Sequence, residues 1–88
     1  MLTKLFTINS PIGLHARPAA VLVSLAGTYQ SSVTIKHKEK LVSLKSLIAV
    51  MTLGIESGNR VEISISGVDE TEAMQRVEQF FEKELPNL

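Results

Sequence analysis

Ser32-Val33-Thr34-Ile35-Lys36-His37-Lys38-Glu39-Lys40-Leu41-Val42-Ser43-Leu44 carries an alternating pattern twice over. In residues 32–37, Val33 and Ile35 alternate with Thr34 and Lys36. A period of two puts the apolar pair on one face of a strand. Residues 40–44 repeat the pattern with Val42 and Leu44. The link at residues 38–39 is short, so the two strands form a hairpin, although it lacks the Asn-Gly signal of a tight turn. A hairpin that is apolar on one face needs further strands beside it and a layer to cover it.

Both are present on either side. Downstream, residues 60–66 alternate Val61, Ile63 and Ile65 against Glu62, Ser64 and Ser66, a further strand. Upstream, residues 2–8 place Leu2, Phe6 and Ile8 on one face and Thr3 and Thr7 on the other. Residues 9–14 are punctuated by Pro11 and Gly13 and read as a loop. Residues 16–27 are rich in Ala and Leu and end at Gly27, which predicts a helix. Ser46 starts a short helix that Gly54 ends. Asp69 and Glu72 make a capping-box-like start for a last helix, whose apolar stripe is Ala73, Val77, Phe80, Phe81 and Leu85, with Pro86 after its end. The order is β-α-β-β-α-β-α. It predicts an α+β open-faced β-sandwich, a four-stranded antiparallel sheet covered on one face by three helices, with the other face in water.

The chain has 88 residues, enough for one domain, 1–88, and too few for two. Nine Lys and Arg balance nine Asp and Glu, which argues against direct nucleic-acid binding. There is no Cys, so disulfides, thiolate chemistry and cysteine zinc sites are excluded. Two His, His15 and His37, make a multi-histidine metal site unexpected, and no cofactor is called for. The N-terminus alternates polar and apolar and is no signal peptide. No run approaches the ~18 apolar residues of a membrane span. The expected location is the cytoplasm.

Chemistry concentrates in Gly13-Leu14-His15-Ala16-Arg17-Pro18-Ala19-Ala20. With His15 as N-cap, Ala16 and Arg17 present N–H groups that have no helical partner. Pro18 falls where a missing N–H costs no helical bond. A helix N-terminus favours an anion, and Arg17 adds a planar donor fork suited to phosphate. A nucleophilic imidazole therefore stands beside an anion site. The alternative is a His that caps the helix and an Arg17 that is a solvated charge. In the second helix, Val50 and Leu53 are spaced to face the core, leaving Leu47, Ile48 and Met51 on another face. On the first, Leu22, Val23 and Ala26 can face the core, leaving Arg17, Ala20, Val21 and Ser24 outside. An exposed patch of this kind marks a partner site; the same composition also fits two well-buried helices. Ser46 has an evident structural role as N-cap, and a phosphate there would be tolerated by the fold. His37 lies at the polar end of a strand and is given no role.

These two segments, Gly13 to Ala19 and Leu44-Lys45-Ser46 to Leu53-Gly54, resemble the active-site motif and the regulatory-serine segment of HPr, the phosphocarrier family of the bacterial phosphoenolpyruvate-dependent sugar phosphotransferase system. The resemblance spans the chain. It implies that His15 takes a phosphoryl group on Nδ1 from phospho-enzyme I and donates it to IIA domains of sugar permeases. It implies that Arg17 stabilises the transferred group, within a motif that Ala16 and Pro18 complete. It implies phosphorylation of Ser46 by HPr kinase/phosphorylase, and a partner surface at Leu47, Ile48 and Met51 that also serves the catabolite-control transcription factor. Such a protein is a stoichiometric carrier rather than an enzyme, expected to work as a monomer. Alternatives are a paralogous carrier of the nitrogen-regulatory branch and a purely regulatory HPr-like module phosphorylated on serine, which typically lacks the histidine. Three positions depart from the usual pattern: Ile12, where a small or polar residue is common, Ala49, where Gly is frequent, and Lys38-Glu39, which implies a looser turn.

Overall fold

The computed structural model describes residues 1–88. The alternating segments are strands: β1 (Leu2–Thr7), β2 (Ser32–His37), β3 (Lys40–Ser43) and β4 (Arg60–Ser66). They form one sheet in the order β1-β4-β2-β3, with every neighbouring pair antiparallel. The last strand in the chain thus lies between β1 and β2. Its register sets Ile65 against Leu2 and Val33, and Ile63 against Ile35, so the apolar residues share one face.

Three helices, α1 (Ala16–Gly27), α2 (Leu47–Met51) and α3 (Glu70–Gln79), cover that face. Ala19, Leu22, Leu25 and Ala26 of α1, Val50 of α2, and Ala73, Met74 and Val77 of α3 are buried on Val33, Ile35, Val61, Ile63 and Ile65. Burial of one large aliphatic or aromatic side chain contributes about 1.5–3 kcal/mol, which makes this cluster the main stabilising term. After α3 the chain makes one π-helical turn, Phe80–Glu84, and a 3-10 turn, Leu85–Asn87. The widened turn brings Phe80, Phe81 and Leu85 all into the core, and Phe81 stacks on Phe6 with ring centres 4.4 Å apart. On the opposite face Thr3, Thr34, Lys36, Glu62 and Ser64 meet solvent, together with two exposed leucines, Leu5 and Leu41.

Four local expectations change. β1 and β3 each stop one residue short, but Leu44 stays buried and its N–H still donates to the Val33 carbonyl at 2.8 Å. α1 ends at Gly27 as its sequence implies, with the Thr28 backbone N–H and hydroxyl both donating to the Leu25 carbonyl, but α2 stops at Met51, before Gly54, with Thr52 as its C-cap residue. The capping box at α3 does not form. Asp69 is the N-cap residue, but its carboxylate is turned away to the α1–β2 connection. The hairpin turn is not loose. His37 pairs directly with Lys40, so two residues make the turn, and Lys38 adopts φ 58° to do it.

Candidate functional site

His15 sits where the 8–14 loop enters α1. Its backbone is extended (φ −84°, ψ −173°), and its carbonyl accepts the first helical bond from the Ala19 N–H at 2.9 Å. It is therefore the N-cap residue, but its side chain caps nothing. The ring is half-buried. Nε2 is turned inward and has no hydrogen-bond partner. Nδ1 makes no hydrogen bond either and is not buried, so it is the ring nitrogen open to a second molecule. Ala16 and Arg17 begin the helix with N–H groups that find no acceptor in the chain, and Pro18 has none to offer. Arg17 is exposed and joins no ion pair. His15 thus stands at the positive end of a helix of 12 residues whose second residue, Arg17, carries an unpaired guanidinium. Such a site can hold an anion against a nucleophile.

The loop reaches this position by backbone contact. The Leu14 N–H donates to the Ile55 carbonyl at 3.2 Å, and buried Leu14 anchors the segment. Gly13, at φ 81°, lies so close to the 55–57 backbone that a Cβ would fall 2.6 Å from the Ile55 oxygen and 2.9 Å from Glu56 Cα. Only glycine allows both the conformation and the approach. Sequence reading marked Gly13 as a loop residue and missed this seat; the available signal was the glycine-spaced stretch from Gly54 to Gly58 and Asn59.

The outer face of the helices is open. On α1, Arg17, Ala20 and Ser24 are exposed and Val21 is half-buried. On α2, Leu47, Ile48 and Met51 are 38%, 81% and 42% exposed, which decides against two fully buried helices. Val50 and Leu53 point inward, as their spacing implied. Beside this face an open groove of about 430 Å³ runs from Ala20, Val21 and Ser24 to Arg76 of α3. The Arg76 guanidinium donates two bonds to the Glu84 carboxylate, which raises its pKa above the ordinary range. Ser46 stands at the start of α2, half-buried, its hydroxyl oxygen accepting the Ala49 N–H at 3.3 Å. No three His, Cys, Asp or Glu side chains converge as a metal site would require. His37 is not at a polar end: it is 5% exposed, with an oxygen acceptor within hydrogen-bond distance of each ring nitrogen.

Residues 2–83 match the family model described as the PTS HPr component phosphorylation site. Solved structures agree. HPr-C-His from Thermoanaerobacter tengcongensis is 35% identical over 97% of this chain and 96% of its own, with a TM-score of 0.92. The phosphocarrier protein HPr from Bacillus anthracis is 30% identical over 92% and 96%, with a TM-score of 0.86. Crh, the Bacillus subtilis catabolite-repression protein described as a swapped, intertwined dimer, is 31% identical over 96% and 97%, with a TM-score of 0.74. A family model matched along nearly the whole chain, on a fold shared with solved phosphocarriers, places the chain in the HPr family of phosphotransferase-system proteins.

Proposed function

We propose that this chain carries a phosphoryl group on His15 Nδ1, accepting it from phospho-enzyme I and donating it to IIA domains of sugar permeases. The observation that carries this reading is the accessible Nδ1 beside the free N–H groups of Ala16 and Arg17. The tautomer that attacks through Nδ1 keeps its proton on Nε2. Its lone pair forms a P–N bond as the donor's P–N bond breaks, and the leaving electron pair returns to the donor imidazole. The reverse step delivers the group to the acceptor histidine. The helix N-terminus and Arg17 stabilise the moving charge, and docking supplies alignment.

The exposed face of α1 and α2 is the surface offered to partners. Ser46, at its edge, is the site read for HPr kinase/phosphorylase, whose product the catabolite-control transcription factor would recognise. The similarity to Crh favours a second reading, a regulatory module phosphorylated on serine; His15 in its intact site favours the carrier.

The test is incubation with enzyme I and phosphoenolpyruvate. The expected result is an acid-labile phosphate on His15 that is absent from His15→Ala. Label on another residue, or none with either the sugar-branch or the nitrogen-branch enzyme I, overturns the reading. Which of the two enzymes reacts assigns the branch.

A further inference from the structure

We infer that His37 and Asn59 form a positioning pair that holds the backbone seat of the His15 loop; this rests on the reading of His15 as phosphoryl acceptor. His37 is the last residue of β2 and is 5% exposed. Its Nδ1 lies 3.2 Å from the Leu53 carbonyl oxygen, and its Nε2 lies 3.0 Å from Asn59 Oδ1. Leu53 and Asn59 lie near the two ends of the connection from α2 to β4, residues 52–59. One ring therefore faces an acceptor near each end of that connection and ties one of them with its N–H.

The connection is otherwise held by few bonds: the Gly58 N–H donates to the Ile8 carbonyl at 2.8 Å, and most of the others run through Asn59. Asn59 Oδ1 also accepts the Glu56 N–H at 2.9 Å, and the Asn59 N–H donates to the Glu56 carbonyl at 3.1 Å. The Asn59 carbonyl accepts the Ile8 N–H at 2.8 Å, at the point where the His15 loop leaves β1. The middle of the connection, Ile55 and Glu56, is the surface on which Gly13 rests and to which the Leu14 N–H is bonded. His15 is the next residue. A shift of the connection is thus passed by backbone contact to the acceptor ring and changes its distance from the Ala16 and Arg17 N–H groups.

Packing alone does not account for a histidine here. An aromatic hydrocarbon ring would fill the same place without the cost of burying two polar nitrogens. Both nitrogens instead face oxygen acceptors of the connection, and a neutral ring donates its one N–H to whichever of them its tautomer selects.

The test compares His37→Phe, which keeps an aromatic ring and removes both ring nitrogens, with the parent. Phosphorylation by enzyme I is measured as kcat and KM, together with amide exchange at Leu14 and the NMR shifts of the His15 ring. The expected kcat loss is about tenfold, because a sub-ångström misplacement of a reacting group has effects of that order. KM should stay within about twofold of the parent, since the outer face of α1 and α2 is untouched. Leu14 exchange should rise about tenfold as the seat loosens. His37→Phe combined with Asn59→Ala should lose less than the product of the two single losses, because the pair shares one contact while Asn59 alone also holds the Glu56 N–H. A full product of the two losses would overturn the pairing. Asn59→Asp, which keeps the acceptor oxygens, should restore most of the rate lost in Asn59→Ala. If His37→Phe does not fold, His37→Leu, which also has no donor, carries the same comparison. An unchanged kcat in a phosphorylated parent and variant overturns the inference and leaves the acceptor reading standing. A parent not phosphorylated on His15 overturns the acceptor reading. In that case unchanged Leu14 exchange and His15 shifts in the variant overturn the positioning pair as well.

Discussion

Lys38 holds φ 58° at the β2–β3 turn, a conformation that L-residues other than glycine adopt at a cost of about 1–2 kcal/mol. The cost is accepted because the flanking strands fix the register, His37 against Lys40, and leave only two residues for the turn. Glycine at this position removes the strain but adds freedom to the unfolded chain, which offsets roughly 0.4–1 kcal/mol of the gain. Lys38→Gly is expected to stabilise the protein by about 0.5–1 kcal/mol, read as a rise of about 2–8 °C in Tm. A fall in Tm would mean that the lysine side chain contributes more than its backbone strain removes. Arg17 is the other single residue whose role is testable alone. It is exposed and unpaired, so the fold asks little of it. Arg17→Ala should leave Tm unchanged and slow phosphorylation of His15 by about 10- to 100-fold. Both residues stand out in the sequence by type; the φ of Lys38 and the isolation of Arg17 do not.

α2 has only five residues and makes few bonds of its own, so its start matters. Ser46 supplies the side-chain cap there, its hydroxyl oxygen accepting the Ala49 N–H. Ser46→Ala should cost about 1 kcal/mol. Ser46→Asp keeps an acceptor at the cap and should melt near the parent. It also places a negative charge beside Leu47, Ile48 and Met51, and should slow phosphorylation by enzyme I if the docking partner is acidic. An unchanged rate, or a large loss of Tm in Ser46→Asp, would leave Ser46 as a cap and nothing more. The spacing of Val50 and Leu53 made the inward face of α2 legible. Its outward face was not, because the same apolar residues suit burial and exposure equally. At α3 the sequence misled for a related reason. Asp69 has the residue type of a cap and stands at the cap, yet a stronger set of donors lies across the fold.

Those donors join distant parts of the molecule. The Asp69 carboxylate accepts the Ser31 hydroxyl, the Gln30 N–H at 2.8 Å and the Ser31 N–H at 2.9 Å, tying the start of α3 to the α1–β2 connection. The Ser31 hydroxyl first, and the Gln30 N–H after it, hold the carboxyl below its ordinary range. Glu70 is lowered too, by the Gly67 N–H and then by the N-terminal ammonium. A carboxyl with a depressed value in the folded state binds fewer protons there than in the unfolded state. Its contribution is therefore complete above about pH 4 and is lost as pH falls through the folded value. Asp69→Asn should lower Tm at pH 7 and flatten the acid limb of the stability curve, so that variant and parent converge at low pH. Parallel curves would show that Asp69 does not link stability to acid. Gly67 lies against the same junction, where a Cβ would fall 2.5 Å from Ser31 Oγ and 2.6 Å from Ser31 Cα. Gly67→Ala should cost about 2–3 kcal/mol, read from the urea midpoint.

The two-residue period in 2–8, 32–44 and 60–66 settled which residues line the core face of the sheet, because the pleat leaves a strand no other way to bury them. The placing of His15, Ala16, Arg17 and Pro18 at a helix start was equally legible, since caps and prolines act over a few adjacent residues. Folding in three dimensions settled what lies far apart along the chain. It put β4 between β1 and β2, turned Asp69 toward Ser31, and seated Gly13 on Ile55. It also buried His37 between Leu53 and Asn59. Side-chain pattern records only whether a residue is buried or exposed on its own element. Which distant backbone group a buried polar atom meets depends on how the elements are stacked.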